Sequence, residues 1–253
     1  MLRRLVQRHP RGRGDYLAGQ IQHLRGIDDP ALLNRLESLG PFYGGMSAMD
    51  KALSDIRTHG KRYLAMVELL DTLDVGDGPL DILEIGCNTG FLSLFIKDHH
   101  PEHGVVALDR APVQIEADRL IGSTYRHPVN FVALEGATVT EELGAESFDV
   151  VFLCEILEHL EHDSDLQHEV LRESLAAIRK TGVVVVTVPY EDRIPSPGHL
   201  TEFTRPMLRA LLGSEASHVM DLDAARSSFG LEKHFVFLVG HQPIAPNRFA
   251  ASV

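Results

Sequence analysis

Paired cysteines are missing from this sequence: Cys87 and Cys154 are the only two in 253 residues, and neither stands in a C-x-x-C or finger spacing. That excludes a disulfide framework and a cysteine-built zinc finger, and it points to a reduced, cytoplasmic setting. Long apolar runs are missing too. The longest aliphatic run is VVVVTV at 183–188, far short of the roughly 20 residues needed to cross a bilayer, so no membrane span is expected. The opening MLRRLVQRHPRGRG holds five arginines and no acid, but it has neither an apolar stretch nor a small-residue cleavage site. It reads as a basic tail rather than a secretory signal. Positive charge is otherwise scarce, and the formal net charge is −12. An acidic body repels a polyphosphate, so the expected partner is a small molecule rather than nucleic acid. Internal repeats and low-complexity tracts are absent, and a monomer or a homodimer fits what remains.

The residues that are present fall into two patterns. From 15 to 75 the chain has helical spacing. DPALLNRLESLG places Asp29 and Pro30 at a helix start and Gly40 at its stop, and KALSDIRTHGKRYLAMVELLDTL sets Ile56, Tyr63, Leu64, Val67 and Leu70 on one buried face. Between these helices GPFYGGMSAMD is a Gly-rich connection, either a lid segment or a surface loop. From residue 80 short β-branched runs alternate with helical stretches: 80–86, 104–109, 129–134, 148–154 and 182–189, then a weaker run at 216–222 and another at 234–241. Ser164 with Gln167 starts the helix before the fifth strand, and Gly182 is expected to stop it. This alternation predicts an α/β fold, a doubly wound, mostly parallel seven-stranded sheet with a ligand crevice at the carboxyl ends of its strands. The expected organisation is a basic tail and helices over 1–75, a ligand-binding domain over 76–241 and a short tail over 242–253.

The first strand ends in EIGCNTGFLS. A Gly-rich turn from strand to helix lets a ligand approach the backbone and offers it helix N–H groups. A dinucleotide fingerprint fails, because its later glycines would fall on Asn88 and Phe91, and a phosphate loop fails for want of a Lys and Ser/Thr in register. What stands is E-x-G-x-x-x-G, made by Glu84, Gly86 and Gly90, with the acid Asp109 ending the next strand.

Those residues resemble the class I S-adenosylmethionine-dependent methyltransferases over roughly 60–240. The resemblance implies S-adenosyl-L-methionine as cofactor, with Gly86, Cys87, Asn88 and Gly90 under its methionine part. It implies Asp109, with Arg110 beside it, at the ribose hydroxyls and Glu84 at the ammonium. The sequence departs from the common pattern at Asn88, where many members have Gly, and at Gly136, where an Asp often meets adenine. Backbone at Gly136 and Ala137, or the Glu135 side chain, would then serve the base.

Directly after the fourth strand comes CEILEHLEH, with Glu155, Glu158, His159 and His162 at spacings that a helix would stack on one face. FDVVFLCEILEHL and GHLTEFTRPMLRALL resemble segments of ubiquinone-biosynthesis O-methyltransferases. The Glu-x-x-Glu-His motif with a later His also resembles that of small-RNA 2′-O-methyltransferases, which hold a divalent ion through it. Two roles follow for this cluster. In one, His159 or His199 is the general base for a hydroxyl acceptor and Glu155 orients it, giving O-methylation. In the other, Glu155, Glu158, His159 and His199 hold Mg²⁺, Mn²⁺ or Zn²⁺. Glu155 also borders the cofactor in the resemblance. N-methylation of an amine, RNA 2′-O-methylation and non-catalytic cofactor binding are the alternatives.

Overall fold

Along each central strand successive residues belong to opposite faces, and apolar residues predominate on both, as a strand covered on both sides requires. Ile82, Val150, Phe152, Val183 and Val185 enter one core, while Leu83, Ile85, Val151, Leu153, Val184 and Val186 enter another. The computed structural model describes residues 12–42, 45–76, 78–190, 198–222, 231 and 233–244.

The strands are β1 (Asp81–Ile85), β2 (Gly104–Asp109), β3 (Asn130–Ala133), β4 (Phe148–Cys154), β5 (Ile178–Pro189), β6 (His218–Asp221) and β7 (His234–Gly240). They form one sheet in the order β3-β2-β1-β4-β5-β7-β6, parallel except that β7 runs antiparallel to both β5 and β6. Helices α1 (Arg13–Arg25), α3 (Ala48–Leu70), α4 (Phe91–His99) and α5 (Pro112–Gly122) cover the first face, with α2 (Pro30–Ser38) packed on α3 and α5. The short α6 (Val139–Leu143), α7 (Asp165–Ala177) and α8 (Arg205–Glu215) cover the second. The expected seven-stranded, doubly wound fold is the observed one.

Local signals explain most helix starts. Asp29 accepts the N–H groups of Ala31 and Leu32, Ser47 caps α3 through Asp50 N–H, and Ser164 caps α7 through Gln167 N–H. The expected stop at Gly182 is wrong. Helix α7 ends at Ala177 and the chain enters β5 at once, pairing Ile178 with Phe148 before the register shifts to Val150 and Val183. Gly182 sits in that irregularity, where a Cβ would lie 2.9 Å from the Asp149 carbonyl oxygen. It marks a bulge in the strand, the other common use of an isolated glycine.

Candidate active site

The turn after β1 is fixed before any ligand arrives. Gly86 and Cys87 both donate their N–H groups to Leu108 O at 2.8 Å, and Asn88 N–H donates to Asp109 Oδ2 at 3.0 Å. Gly86, Asn88 and Gly90 all lie in the left-handed region, with φ of 73°, 49° and 68°. Asparagine tolerates that conformation better than other non-glycine residues, which explains how Asn88 stands where many members have Gly. Packing demands the glycines as well. A Cβ on Gly86 would lie 2.0 Å from Ile156 Cδ1, and one on Gly90 2.5 Å from Phe131.

Asp109 is held by this turn and by the next, its Oδ1 accepting from Ala111 N–H at 3.0 Å. Two backbone bonds leave a carboxylate with lone pairs for further donors. Asn88 and Asp109 line a cavity of about 410 Å³ together with Phe42, Lys51, Val113 and Gln114. Lys51 comes from α3; its Nζ donates to Gln114 and stands over the Phe42 ring. Burial lowers the Lys51 pKa, opposed by the charges of Asp118, Asp109 and Asp55.

Other expected cofactor residues divide. Glu84 is buried and its Oε2 accepts from both the N–H and the hydroxyl of Ser93, at 3.1 and 2.6 Å. Burial drives its pKa up to about 7, against the lowering effect of Ser93 and with help from the Asp55 and Asp109 charges. Cys87 turns its thiol into the core toward Asp118, 3.9 Å away, and burial pushes that thiol's pKa well up. Arg110 is exposed, as is Glu135. Gly136 packs on Ile85 and Val170, Ala137 adjoins the second core, and neither lines the cavity at Asp109.

The helix expected through CEILEHLEH does not form. Glu155 has φ +58° and turns the chain sharply, and only Leu157–His159 makes a single 3₁₀ turn. The reason is the strand: Glu155 N–H still bonds to Thr187 O at 2.9 Å, extending the β4–β5 pairing past Cys154. The four acid and imidazole side chains therefore do not share a face. His162 is exposed and apart.

Glu155 instead closes a cluster that sequence reading missed. Its Oε1 accepts from the Thr187 hydroxyl at 2.9 Å, and its Oε2 lies 3.0 Å from Arg62 Nη1 and 3.6 Å from His234 Nε2. Burial acts to lower the Arg62 pKa, but Glu155, with Tyr63, Cys154 and Asp55, outweighs it and the pKa is raised. His234 opens β7 opposite Pro189, the last residue of β5, so it stands at the carboxyl edge of the parallel strands. Burial lowers its pKa despite the Glu155 charge, and its Nδ1 is enclosed with no hydrogen-bond partner among the described residues. His59, also on α3, is lowered by burial and then by Arg62. The polar positions of α3 thus follow the whole crevice: Lys51 at the Asp109 end, Asp55 against Thr89 of the glycine turn, Arg62 at Glu155. Their i, i+4 and i+11 spacing, one helical face over three turns, was readable in the sequence.

His159 and His199, 40 positions apart in sequence, do meet. Their ring centroids lie 4.8 Å apart, edge to face, and His159 Nδ1 is 2.8 Å from Gly198 O. Glu158 is buried and its carbonyl accepts from Leu200 and Thr201 N–H. One ligand atom from each of Glu158, His159 and His199 lies within 4.8 Å of the others. The four-residue metal set is thereby corrected to three, and Glu155 does not orient His159: it is committed to Arg62, Thr187 and His234.

Residues 83–184 match a family model described as a methyltransferase domain. The match covers less than half of the chain, and over that stretch the sequence is similar to a methyltransferase domain. A stretch of 52 residues is 44% identical to malonyl-[acyl-carrier protein] O-methyltransferase of Acetivibrio thermocellus, covering 20% of this chain and 18% of that protein. The methyltransferase domain also superposes on an O-methyltransferase family protein from Burkholderia thailandensis, with TM-score 0.55 and 14% identity over 74% of this chain and 59% of that one. A SAM-dependent methyltransferase from Archaeoglobus fulgidus gives TM-score 0.54 and 15% identity over 74% and 97% of the two chains. The structural likenesses show the fold alone; the ubiquinone-type subgroup and a metal find no support in the comparisons. Among the described residues no helix is long and apolar enough to cross a membrane.

Proposed function

We propose that this chain transfers a methyl group from S-adenosylmethionine to a hydroxyl of a small molecule, with His234 as the proton acceptor. The observation that carries this reading is a half-buried imidazole whose enclosed Nδ1 has no hydrogen-bond partner among the described residues and whose Nε2 lies 3.6 Å from Glu155. Buried polar nitrogens are rarely left unbonded, so an open one at the crevice edge is a candidate for the reacting proton.

The cofactor fits the residues present. The left-handed turn at Gly86, Asn88 and Gly90 brings Asn88 to the cavity beside Asp109, whose carboxylate has lone pairs left that would serve two ribose hydroxyls. When bound, S-adenosylmethionine supplies an electrophilic methyl carbon and a neutral thioether leaving group. The chain's part is to hold the acceptor in line, exclude water and take its proton. Glu155 holds the imidazole Nε2–H side and favours the imidazolium once the proton arrives, while Arg62 balances the Glu155 charge before and after. A hydroxyl acceptor needs such a base. An amine bound as its free base does not, and it would leave His234 without a role.

A divalent ion is a second reading with its own observation, the convergence of Glu158, His159 and His199. Two imidazoles and a carboxylate are a donor set that suits Zn²⁺ or Mn²⁺. The same residues also tie the turn after β4 to the loop at Gly198, a sufficient structural use.

The test is a methyl-transfer assay with S-adenosylmethionine across phenols, sugars and polyketides, each paired with its amine analogue, and mass detection of the methylated product. Product from hydroxyl compounds, lost in His234→Gln with S-adenosylhomocysteine affinity retained, supports the reading. Methylation of amines alone overturns it. Elemental analysis before and after exhaustive chelation decides the ion.

A further inference from the structure

Asp55 lies on α3, outside the residues matched by the family model. Its Oδ2 accepts from two hydroxyls, Tyr63 at 2.7 Å and Thr89 at 2.5 Å, and Thr89 belongs to the glycine turn itself. Its Oδ1 makes no hydrogen bond among the described residues and stands 4.0 Å from His59 Nε2. His59 does not supply a settled positive charge there, since burial and then Arg62 lower its pKa. Lys51 and Arg62 sense the Asp55 charge, but their own contacts are to Gln114 and Glu155. The result is a carboxylate only 7% exposed, oriented by two donors, one of them on the cofactor turn, with its other oxygen facing only the His59 imidazole among the described residues. Burying an anion without a cation is unfavourable, and such a site is completed by a positively charged group.

Glu84 adds to this. The Asp55 and Asp109 charges both push against its ionisation. One Glu84 oxygen is taken by Ser93. A primary ammonium offers three N–H donors and is poorly served by a single remaining oxygen. We infer that Asp55, from the N-terminal helix, joins Glu84 in holding the ammonium of the cofactor's amino-acid end. This inference rests on the reading of the crevice as an S-adenosylmethionine site. Its consequence is that cofactor binding and the docking of α3 on the sheet stabilise each other, so amino-acid-end recognition draws on a segment that the family model does not span.

The experiment is a ligand-by-residue cycle read by titration calorimetry on the full chain. The ligands are S-adenosylhomocysteine and its deaminated analogue, which keeps the adenosine, sulfur and carboxylate but lacks the ammonium. Asp55→Asn is expected to weaken S-adenosylhomocysteine about tenfold or more, and the deaminated analogue by less than about twofold, as loss of one charge-assisted contact implies. Tyr63→Phe removes one anchoring hydroxyl and keeps the charge; it should show the same selectivity at smaller size, and it stands in if Asp55→Asn does not fold. Equal weakening of both ligands, or no weakening of S-adenosylhomocysteine, overturns the role of Asp55. If the wild-type chain binds neither ligand, the cofactor reading fails and this inference fails with it.

Discussion

Arg62 of α3 and Glu155, the residue that leaves β4, meet at 3.0 Å across the mouth of the crevice, with side chains only 16% and 13% exposed. A pair this enclosed has lost most of its water, so each charge depends on the other. Arg62→Met is expected to lower stability by about 2–4 kcal/mol, because Glu155 would stay buried with only Thr187 and His234. The double variant Arg62→Met/Glu155→Met should recover much of that loss. Denaturant unfolding of the four proteins gives the coupling; additive losses would show that the pair is not interdependent.

Asp109 does two jobs, fixing Asn88 and Ala111 N–H groups and presenting acceptors to the cavity. Asp109→Ala is expected to weaken S-adenosylhomocysteine by about 2–4 kcal/mol, since a charged acceptor for two hydroxyls is lost along with the geometry of the turn. Calorimetric titration measures this, and unchanged affinity in a folded variant would remove Asp109 from the site.

Gly86 is constrained by conformation and by Ile156 together. Gly86→Ala is therefore expected to cost about 1–3 kcal/mol of stability as well as cofactor affinity. Adding Ile156→Ala should relieve the steric part and leave the part due to φ. Thermal melting of the single and double variants separates the two, and a double variant no more stable than Gly86→Ala would deny the clash.

Stability should fall on acidification through His59 and His234. Burial lowers both pKa values in the folded state. The unfolded chain therefore takes up protons near about pH 6.5 that the folded chain refuses, and folding weakens from there downward. His168 acts the other way, raised by Glu215 and Asp163, and its contribution fades as pH rises through its folded value. His234→Gln should flatten the acid limb of a melting-temperature profile between about pH 7 and 5. If His234 is the base, methyl transfer in the wild-type chain should already be level at neutral pH and decline in acid.

Much of this protein could be read from local order in its sequence. Five strands show as β-branched runs bounded by turns, and β6 and β7 as the runs at 216–222 and 234–241, because a strand buried on both faces is apolar at most of its positions. The Asp29 and Ser164 caps, the glycine turn and Asp109 are likewise local features, set within a few residues of one another or by strand-end register. Gly182 was ambiguous at that level, since a glycine serves a helix stop and a bulge equally well.

The tertiary structure decided everything that depends on partners far apart in the chain. CEILEHLEH carries helical spacing, yet Glu155 N–H pairs with Thr187 and its carboxylate pairs with Arg62, so long-range bonds overrode the local pattern. His234 lies at the start of an antiparallel strand, and nothing near it in sequence shows that β7 inserts beside β5 and brings it to Glu155. Lys51, Asp55 and Arg62 look like the solvated face of an amphipathic helix until α3 is laid on the sheet. Periodicity fixes which side chains share a face; only packing fixes what that face meets.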